Sequence, residues 1–513
     1  VRPTLAAEQV RDSLSQYLST TYALADESTR GALERFLGDA EDGIFRGPYL
    51  RIRTPFRAAE GVDWQRHLTW WPRPPFHPHR HQEAAWERLS TLHGPARPTL
   101  VTTGTGSGKT ESFLVPILDH CRREREAGRE GVKAVLLYPM NALATDQAHR
   151  INNRLDDPRD ARLRDAGVRA GLYIGDKASK EFKQANPRVA VDRDEIRHTR
   201  PDILITNYKM LDLLLQRPED QRLWQPEGGG DGGGGGGGGS PLAYVVLDEF
   251  HTYDGAQGTD VAMLLRRLGA ITGLAEPGRP LGKVCPVATS ATLGEGTPGI
   301  GGSSMLDVAE QVFGVPFPPD AVVGESRRSV LDFAGESDFT LPFPAPHEVA
   351  ALGDPTRDPE ALDQLAAAFT GKSGLSPEQL GRQLRRHRLT AAVLEILDGS
   401  PRTMAEVLEV LPRYAYHWGM AVQQNPAVAA RALARYVALL STARDPKNPG
   451  SPLLSIETHH WVRSVSRVLR GISAARAEFR WDDERVTSGG KLARSSSGGA
   501  PKPDGGASGP GRA

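Results

Sequence analysis

Apolar and polar positions change rhythm three times along this chain. Over residues 1–40, Val10, Leu14, Tyr17 and Leu18 recur at spacings of three and four, which predicts helix. Gly47-Pro48 and Thr54-Pro55 then break the pattern. Trp64, Trp70, Trp71 and Phe76 crowd a proline-rich stretch ending at Pro78. Such aromatics pack against the next domain or, alternatively, stack on bases. Pro78-His79-Arg80-His81-Gln82 opens an expected helix that runs through Trp86 and Leu89.

From 133 to 292 short apolar runs alternate with helical ones. The strand-like runs are Lys133–Pro139, Ala170–Gly175, Asp202–Asn207, Ala243–Glu249 and Lys283–Ser290. Between several of them lie helical patterns such as Ala142–Leu155 and Met210–Gln216. This alternation predicts an α/β domain with a parallel sheet covered on both faces. Chemistry in such a sheet gathers at the carboxyl ends of the strands.

Beyond residue 300 helical periodicity dominates, at 305–313, 360–370, 376–398, 403–415, 426–442 and 456–472. The tract 228–240, almost all glycine, is expected to be a mobile surface loop inside the α/β domain. Residues 487–513 hold almost no large apolar side chain and are expected to be disordered. The expected organisation is an N-terminal helical and aromatic segment (1–75), the α/β domain (76–300), a mostly helical accessory region (301–486) and a tail (487–513).

Composition narrows the function classes. With 513 residues the chain is long enough for two to four domains, and 63 basic residues balance 63 acidic ones. Any polyanion must therefore be met by local patches, not a global field. The two cysteines, Cys121 and Cys285, are too few for a four-cysteine zinc site or a disulfide framework, so a reduced, cytoplasmic setting is expected. No apolar run is long enough to span a bilayer, and Val1–Glu8 lacks the apolar core of a signal peptide.

The chemistry centres on Thr103-Gly104-Thr105-Gly106-Ser107-Gly108-Lys109-Thr110, between an extended run and a helix. Glycines there let backbone N–H groups approach a phosphate, and the helix N-terminus adds donors and a positive dipole end. Lys109 can reach the β- and γ-phosphates of ATP, and the Thr110 hydroxyl can ligate Mg²⁺. The strict phosphate-loop pattern has glycine where this chain has Thr103. Gln82, in the preceding helix, carries an amide able to pair with an adenine edge. Leu242–Leu247 runs into Asp248-Glu249-Phe250-His251. Asp248 at the strand tip can hold Mg²⁺ through water, Glu249 can orient and deprotonate an attacking water, and His251 can link nucleotide state to a neighbouring element.

These segments resemble the motifs of superfamily 2 DEAD/DEAH-box (DExH) helicases, in family order. Thr103–Thr110 is similar to the first motif, which often lacks the first glycine, and Gln82 resembles the adenine-reading Q motif. Tyr138-Pro139-Met140-Asn141-Ala142-Leu143 resembles motif Ia, and Thr206–Asp212, which includes Asn207, resembles motif Ib. Asp248–His251 resembles the second motif, and Ser290-Ala291-Thr292 the third. Gly255–Asp260 after the second motif points to the large bacterial Lhr-like and DISARM-type groups.

The resemblance implies a RecA-like P-loop domain that hydrolyses ATP with Mg²⁺. It implies contacts from Pro139, Asn141, Thr206 and Asn207 to the backbone of single-stranded or duplex nucleic acid, DNA being favoured. Ser290 and Thr292 would couple the two sites. It also implies a second RecA-like domain carrying an arginine finger, which this chain does not visibly hold. Gln379–Arg385 has the wrong spacing and lies in an amphipathic helix, which makes it a decoy. A second chain supplying that domain is therefore an expected partner. The competing readings are a catalytically incomplete, ATP-gated nucleic-acid-binding or partner-recruiting subunit and a P-loop ATPase acting on proteins. The motif Ia and Ib matches disfavour the last.

Overall fold

The computed structural model describes the chain except residues 1–2, 23, 40–41, 72–76, 105, 159–160, 177–178, 225–239, 254, 292–300, 354, 356–357, 398–399, 464–467, 472–476, 482–484, 487–491 and 494–513. The glycine tract and nearly all of the expected tail, along with Thr105, Thr292 and Phe76, thus lie outside the described residues. The chain forms two compact units, one of residues 56–328 and one of residues 1–55 with 329–513.

Among the described residues, nine strands precede residue 325. They are β1 (Phe45–Arg53), β2 (Thr99–Thr102), β3 (Ala134–Leu137), β4 (Ala170–Tyr173), β5 (Val189–Ala190), β6 (Ile203–Thr206), β7 (Tyr244–Leu247), β8 (Cys285–Ser290) and β9 (Val322–Gly324). In the unit of residues 56–328, the last eight form one sheet in the order β5-β4-β6-β3-β7-β8-β2-β9. Every pairing in it is parallel.

The near-continuous apolar strands have a physical reason. Val135, Leu137, Leu204, Val245 and Leu247 enter one core with Leu211, Leu214, Leu264 and Leu265 from helices Tyr208–Gln216 and Gly255–Ile271. Their neighbours Ala134, Leu136, Ile203, Ile205, Tyr244 and Val246 enter the opposite core. There they meet Phe113, Leu114 and Ile117 of helix Lys109–Glu126 and Ala144, Ala148 and Ile151 of helix Asn141–Leu155. Both faces are buried, so both side-chain registers of each strand must be apolar. This is a RecA-like α/β domain.

Unit boundaries do not fall at 75/76 or 300/301. Trp64 and Trp70 are buried beside Trp86 and Phe113, so residues 56–71 belong with the parallel sheet. Trp64 meets Trp86 edge-on at 5.8 Å, and packing, not base stacking, accounts for it. Helix Gly301–Phe313 and β9 also belong to this unit, β9 because it pairs with β2 and extends the sheet.

The other unit is built mainly on helices around an apolar cluster containing Leu365, Phe369, Leu384, Val393, Leu433, Tyr436 and Val437, with a smaller cluster of Leu33, Leu37, Ile44, Phe45 and Trp481. Expected helix 376–398 is two helices, Pro377–Arg385 and Arg388–Leu397. At the break the His387 ring stacks on Phe343, and its Nδ1 accepts from the Leu389 N–H at 3.1 Å. The expected helix 456–472 is not formed. Ser455–Val462 is a strand pairing antiparallel with β1. β-Branched Ile456, Thr458 and Val462 suit that ladder, which satisfies backbone groups a helix would have satisfied locally. β1 itself reads as a broken segment, because Gly47-Pro48 falls inside it. The structure absorbs that dipeptide as a register shift between Arg46 and Tyr49, with Gly47 at φ 94°. Cys121 and Cys285 are both buried and unbridged. No helix among the described residues is long and apolar enough to cross a membrane.

Candidate nucleotide site and neighbouring loops

The phosphate loop leaves β2 and enters helix Lys109–Glu126, whose N-cap is Gly108. Gly106 and Gly108 have φ of 79° and 74°, a region open to glycine and costly for other residues. A Cβ at Gly106 would meet nothing, whereas one at Gly108 would collide with the Gln82 amide. Thr103 is fully buried and its hydroxyl accepts from Ser107 Oγ at 2.8 Å, closing the loop across its base. His81 Nε2 lies 2.9 Å from the Ser107 carbonyl. The Gly104 N–H donates to Glu325 Oε1 at 2.6 Å.

Gln82 is 2% exposed, and both ends of its amide are engaged. Nε2 donates to the Gly108 carbonyl at 3.1 Å, and Oε1 accepts from the His79 N–H at 2.8 Å. In this arrangement it ties the preceding helix to the loop. A base edge would have to use its second N–H and second lone pair.

At the carboxyl end of β7, Asp248 is buried and Glu249 turns sharply, with φ 51°. That left-handed conformation is strained for a residue with a side chain. Lys109 Nζ lies 2.8 Å from Glu249 Oε1 and 4.0 Å from Asp248 Oδ1. Burial pushes the Asp248 carboxyl above its usual range, opposed by a hydrogen bond from Thr289 and by the Lys109 charge. Thr289 Oγ1 donates directly to Asp248 Oδ1. Thr110 Oγ1 accepts from Arg150 Nη1 at 3.3 Å, and Arg150 Nη2 also holds Glu111 Oε2 at 2.5 Å. Tyr138 and Tyr253 bury hydroxyls that have no hydrogen-bond partner among the described residues. Burial, and the nearby Asp248 charge after it, push both phenols upward in pKa.

His251 Nδ1 lies 3.3 Å from Ser290 Oγ and 3.5 Å from Glu249 Oε2, bridging the β7 and β8 ends. On the other side of β7, Asn207 Nδ2 donates to Asn141 Oδ1 at 2.8 Å, and Asn141 Nδ2 to Asp176 Oδ2 at 2.8 Å. Asn207 also caps helix Tyr208–Gln216 by accepting the Met210 N–H. Thr206 Oγ1 donates to the Tyr173 carbonyl, and Pro139 follows β3 at the same strand end. Thus the expected residues that are described gather at the carboxyl ends of β2, β3, β6, β7 and β8.

Sequence reading did not single out Thr289, Arg150, His81 or Glu325. Thr289 had a signal: it precedes Ser290 on a fully buried strand, where a hydroxyl needs a partner. Glu325 and Arg150 lie 221 and 40 residues from the loop residues they touch, with no local pattern to mark them.

A parallel sheet with a phosphate loop and adjacent carboxylates on neighbouring strand ends defines a P-loop nucleotide-binding domain. More narrowly, residues 79–297 match the family described as DEAD/DEAH box helicase, and that stretch is a DEAD/DEAH box helicase domain of superfamily 2. The chain is 28% identical to Druantia protein DruE of Escherichia coli (strain UMEA 4076-1), over 42% of this chain and 16% of that protein. It is 28% identical to the uncharacterized ATP-dependent helicase YprA of Bacillus subtilis (strain 168), over 34% of this chain and 18% of that protein. The chain thus spans less than a quarter of either relative's length. Among solved structures it is similar to the DUF1998 helicase MrfA bound to DNA and AMPPNP, with 19% identity, coverage of 75% and 43%, and a TM-score of 0.36.

Proposed function

We propose that this chain is the ATP-binding half of a superfamily 2 motor that hydrolyses ATP and acts on single-stranded nucleic acid, DNA rather than RNA. The observation that carries the reading is the Lys109 ammonium held 2.8 Å from Glu249 and 4.0 Å from Asp248, beside a loop that turns through left-handed Gly106 and Gly108. The residues fit ATP with Mg²⁺. No group of three or more metal-ligating His, Cys, Asp or Glu side chains exists among the described residues. Mg²⁺ in such sites needs few protein ligands, since phosphate and water oxygens complete its shell. Thr110 and Asp248 would hold it, and it would neutralise charge on the transferring phosphoryl group.

Backbone N–H groups of Gly106, Gly108, Lys109 and Thr110 would face the phosphates. Lys109 would leave Glu249 for the phosphate charge, and Glu249 would orient a water and take its proton as the water oxygen bonds to the γ-phosphorus and the bond from that phosphorus to its bridging oxygen breaks, leaving ADP and phosphate. Asn141 and Asn207, already hydrogen-bonded to each other, offer a pre-set polar step for a strand backbone. Preference for DNA rests on the resemblance to the large bacterial helicases.

Only one parallel sheet occurs among the described residues. Within the proposal, an arginine finger comes from a second RecA-like half supplied elsewhere, and its lack costs roughly 10³ to 10⁵ in rate. The chain as given should bind ATP and turn it over slowly. The test is ATP turnover of the purified chain with and without oligo-dT, at controlled salt. Nucleotide binding with slow, weakly stimulated turnover supports the ATP-gated half-motor. No ATP binding, or fast turnover by this chain alone, would sink it.

A further inference from the structure

The unit of residues 1–55 and 329–513 carries a three-stranded sheet in which β1 lies between Arg402–Thr403 and Ser455–Val462. Leu50 and Ile52 enter the helical core, so Tyr49, Arg51 and Arg53 occupy the opposite face. Cross-strand register sets His459 opposite Tyr49, Glu457 opposite Arg51, Ser455 opposite Arg53 and Trp461 opposite Arg46. Trp461 is 69% exposed, and the His459 side chain 49%. A groove of about 690 Å³ crosses this face, lined among others by Tyr49, Arg51, Pro401, His459 and Trp461.

Two properties of the face point the same way. Among the described residues its charge is one-sided: Arg46, Arg51 and Arg53 stand against one carboxylate, Glu457. That carboxylate is shared, with Arg53 Nη2 at 2.5 Å from Oε1 and His459 Nε2 at 3.5 Å from Oε2. Its uncharged contact surface is largely aromatic, from Tyr49 and Trp461. A folded protein partner of complementary shape would call for more aliphatic surface than Pro401 provides. Cationic side chains interleaved with exposed rings on a sheet face suit a single strand, whose phosphates need the cations and whose bases stack on the rings.

We propose that this sheet face binds single-stranded nucleic acid, with bases stacked on Trp461 and Tyr49 and phosphates met by Arg51 and Arg46. The proposal rests on the nucleic-acid reading above but uses a site separate from the Asn141 and Asn207 loops.

The experiment is fluorescence anisotropy of labelled oligo-dT with the full chain across a salt series. Trp461→Ala should weaken binding by roughly 5- to 100-fold, the scale of one lost stacking partner. Arg51→Ala should make the dependence of log affinity on log salt shallower by about 0.7. Trp461→Phe should retain most of the binding, which a simple folding defect would not allow. Oligo-dT affinity unchanged in Trp461→Ala and Arg51→Ala, yet lowered in Asn207→Ala, overturns this inference and leaves the motor reading standing. Failure of the unaltered chain to bind oligo-dT overturns both.

Discussion

Lys109 Nζ lies 2.8 Å from Glu249 Oε1, so the phosphate-sensing cation is paired with the proposed water-activating carboxylate. The pair keeps Glu249 in a left-handed turn, φ 51°, that the residue would otherwise avoid. Phosphate competes for the same ammonium. Replacing Glu249 by Gln keeps the shape and removes the base. ATP affinity should be kept or improved, and turnover should fall by roughly 10² to 10⁴. Nucleotide binding and ADP release, measured on the same preparation, check this. Unchanged turnover would remove Glu249 from the mechanism.

Thr289 supports the neighbouring carboxylate. Its hydroxyl donates to Asp248, whose charged form is already disfavoured by burial. Thr289→Val deletes the donor at constant shape and should cost about 1–3 kcal/mol at neutral pH. A carboxyl whose folded pKa is raised loses stability as pH rises through that pKa. Losing the Thr289 donor deepens that loss, so the variant's thermal midpoint should fall further behind wild type at neutral than at acidic pH. Thr289→Ser should restore both the stability and its pH dependence. Equal losses at both pH values would show that packing, not Asp248, is at stake.

His79 is pushed from its ordinary 6.5 to about 4 by burial, and further by the neighbouring His81, His77 and Arg327 charges. A histidine with a depressed folded pKa contributes stability that is full above its unfolded pKa and lost as pH falls through the folded one. The relevant window runs from 6.5 down to about 4. His79→Asn should therefore flatten the fall of the unfolding midpoint over that window. An equally steep fall in the variant would assign the acid sensitivity elsewhere.

Asn207 joins a helix cap to the Asn141 amide. Asn207→Ala should cost about 0.5–2 kcal/mol of stability through the lost cap. It should also lower oligo-dT binding while unstimulated ATP turnover is retained. Normal strand binding in a folded Asn207→Ala protein would confine Asn207 to its capping role.

The parallel sheet was legible because its strands are buried on both faces and so stand out as short apolar runs. The phosphate loop was legible because conformation and chemistry both demand its glycines and Gly-Lys-Thr. The Ser455–Val462 strand was not, because its pairing partner lies some four hundred residues earlier and its apolar spacing over a longer window imitates a helix. Gln82 shows a subtler limit. Its position before the loop is visible in sequence, but its hydrogen bonds to the Gly108 carbonyl and His79 N–H are set by tertiary packing. Glu325 was invisible for the same reason, since only the pairing of β9 with β2 brings it to Gly104.

β1 and its antiparallel partner strand are joined by a salt bridge between residues 404 positions apart, Arg53 and Glu457. On a ribosome adding about 5–20 residues per second, β1 emerges some 20 to 80 s before that partner exists. During that interval its Leu50 and Ile52 have no completed core, and its edge is open to other chains. The unit of residues 56–328 can be finished first, while the flanking unit closes only once Ser455–Val462 has been made. Yield of folded protein should therefore be governed by how well β1 is shielded while it waits, a matter of translation speed and chaperone supply.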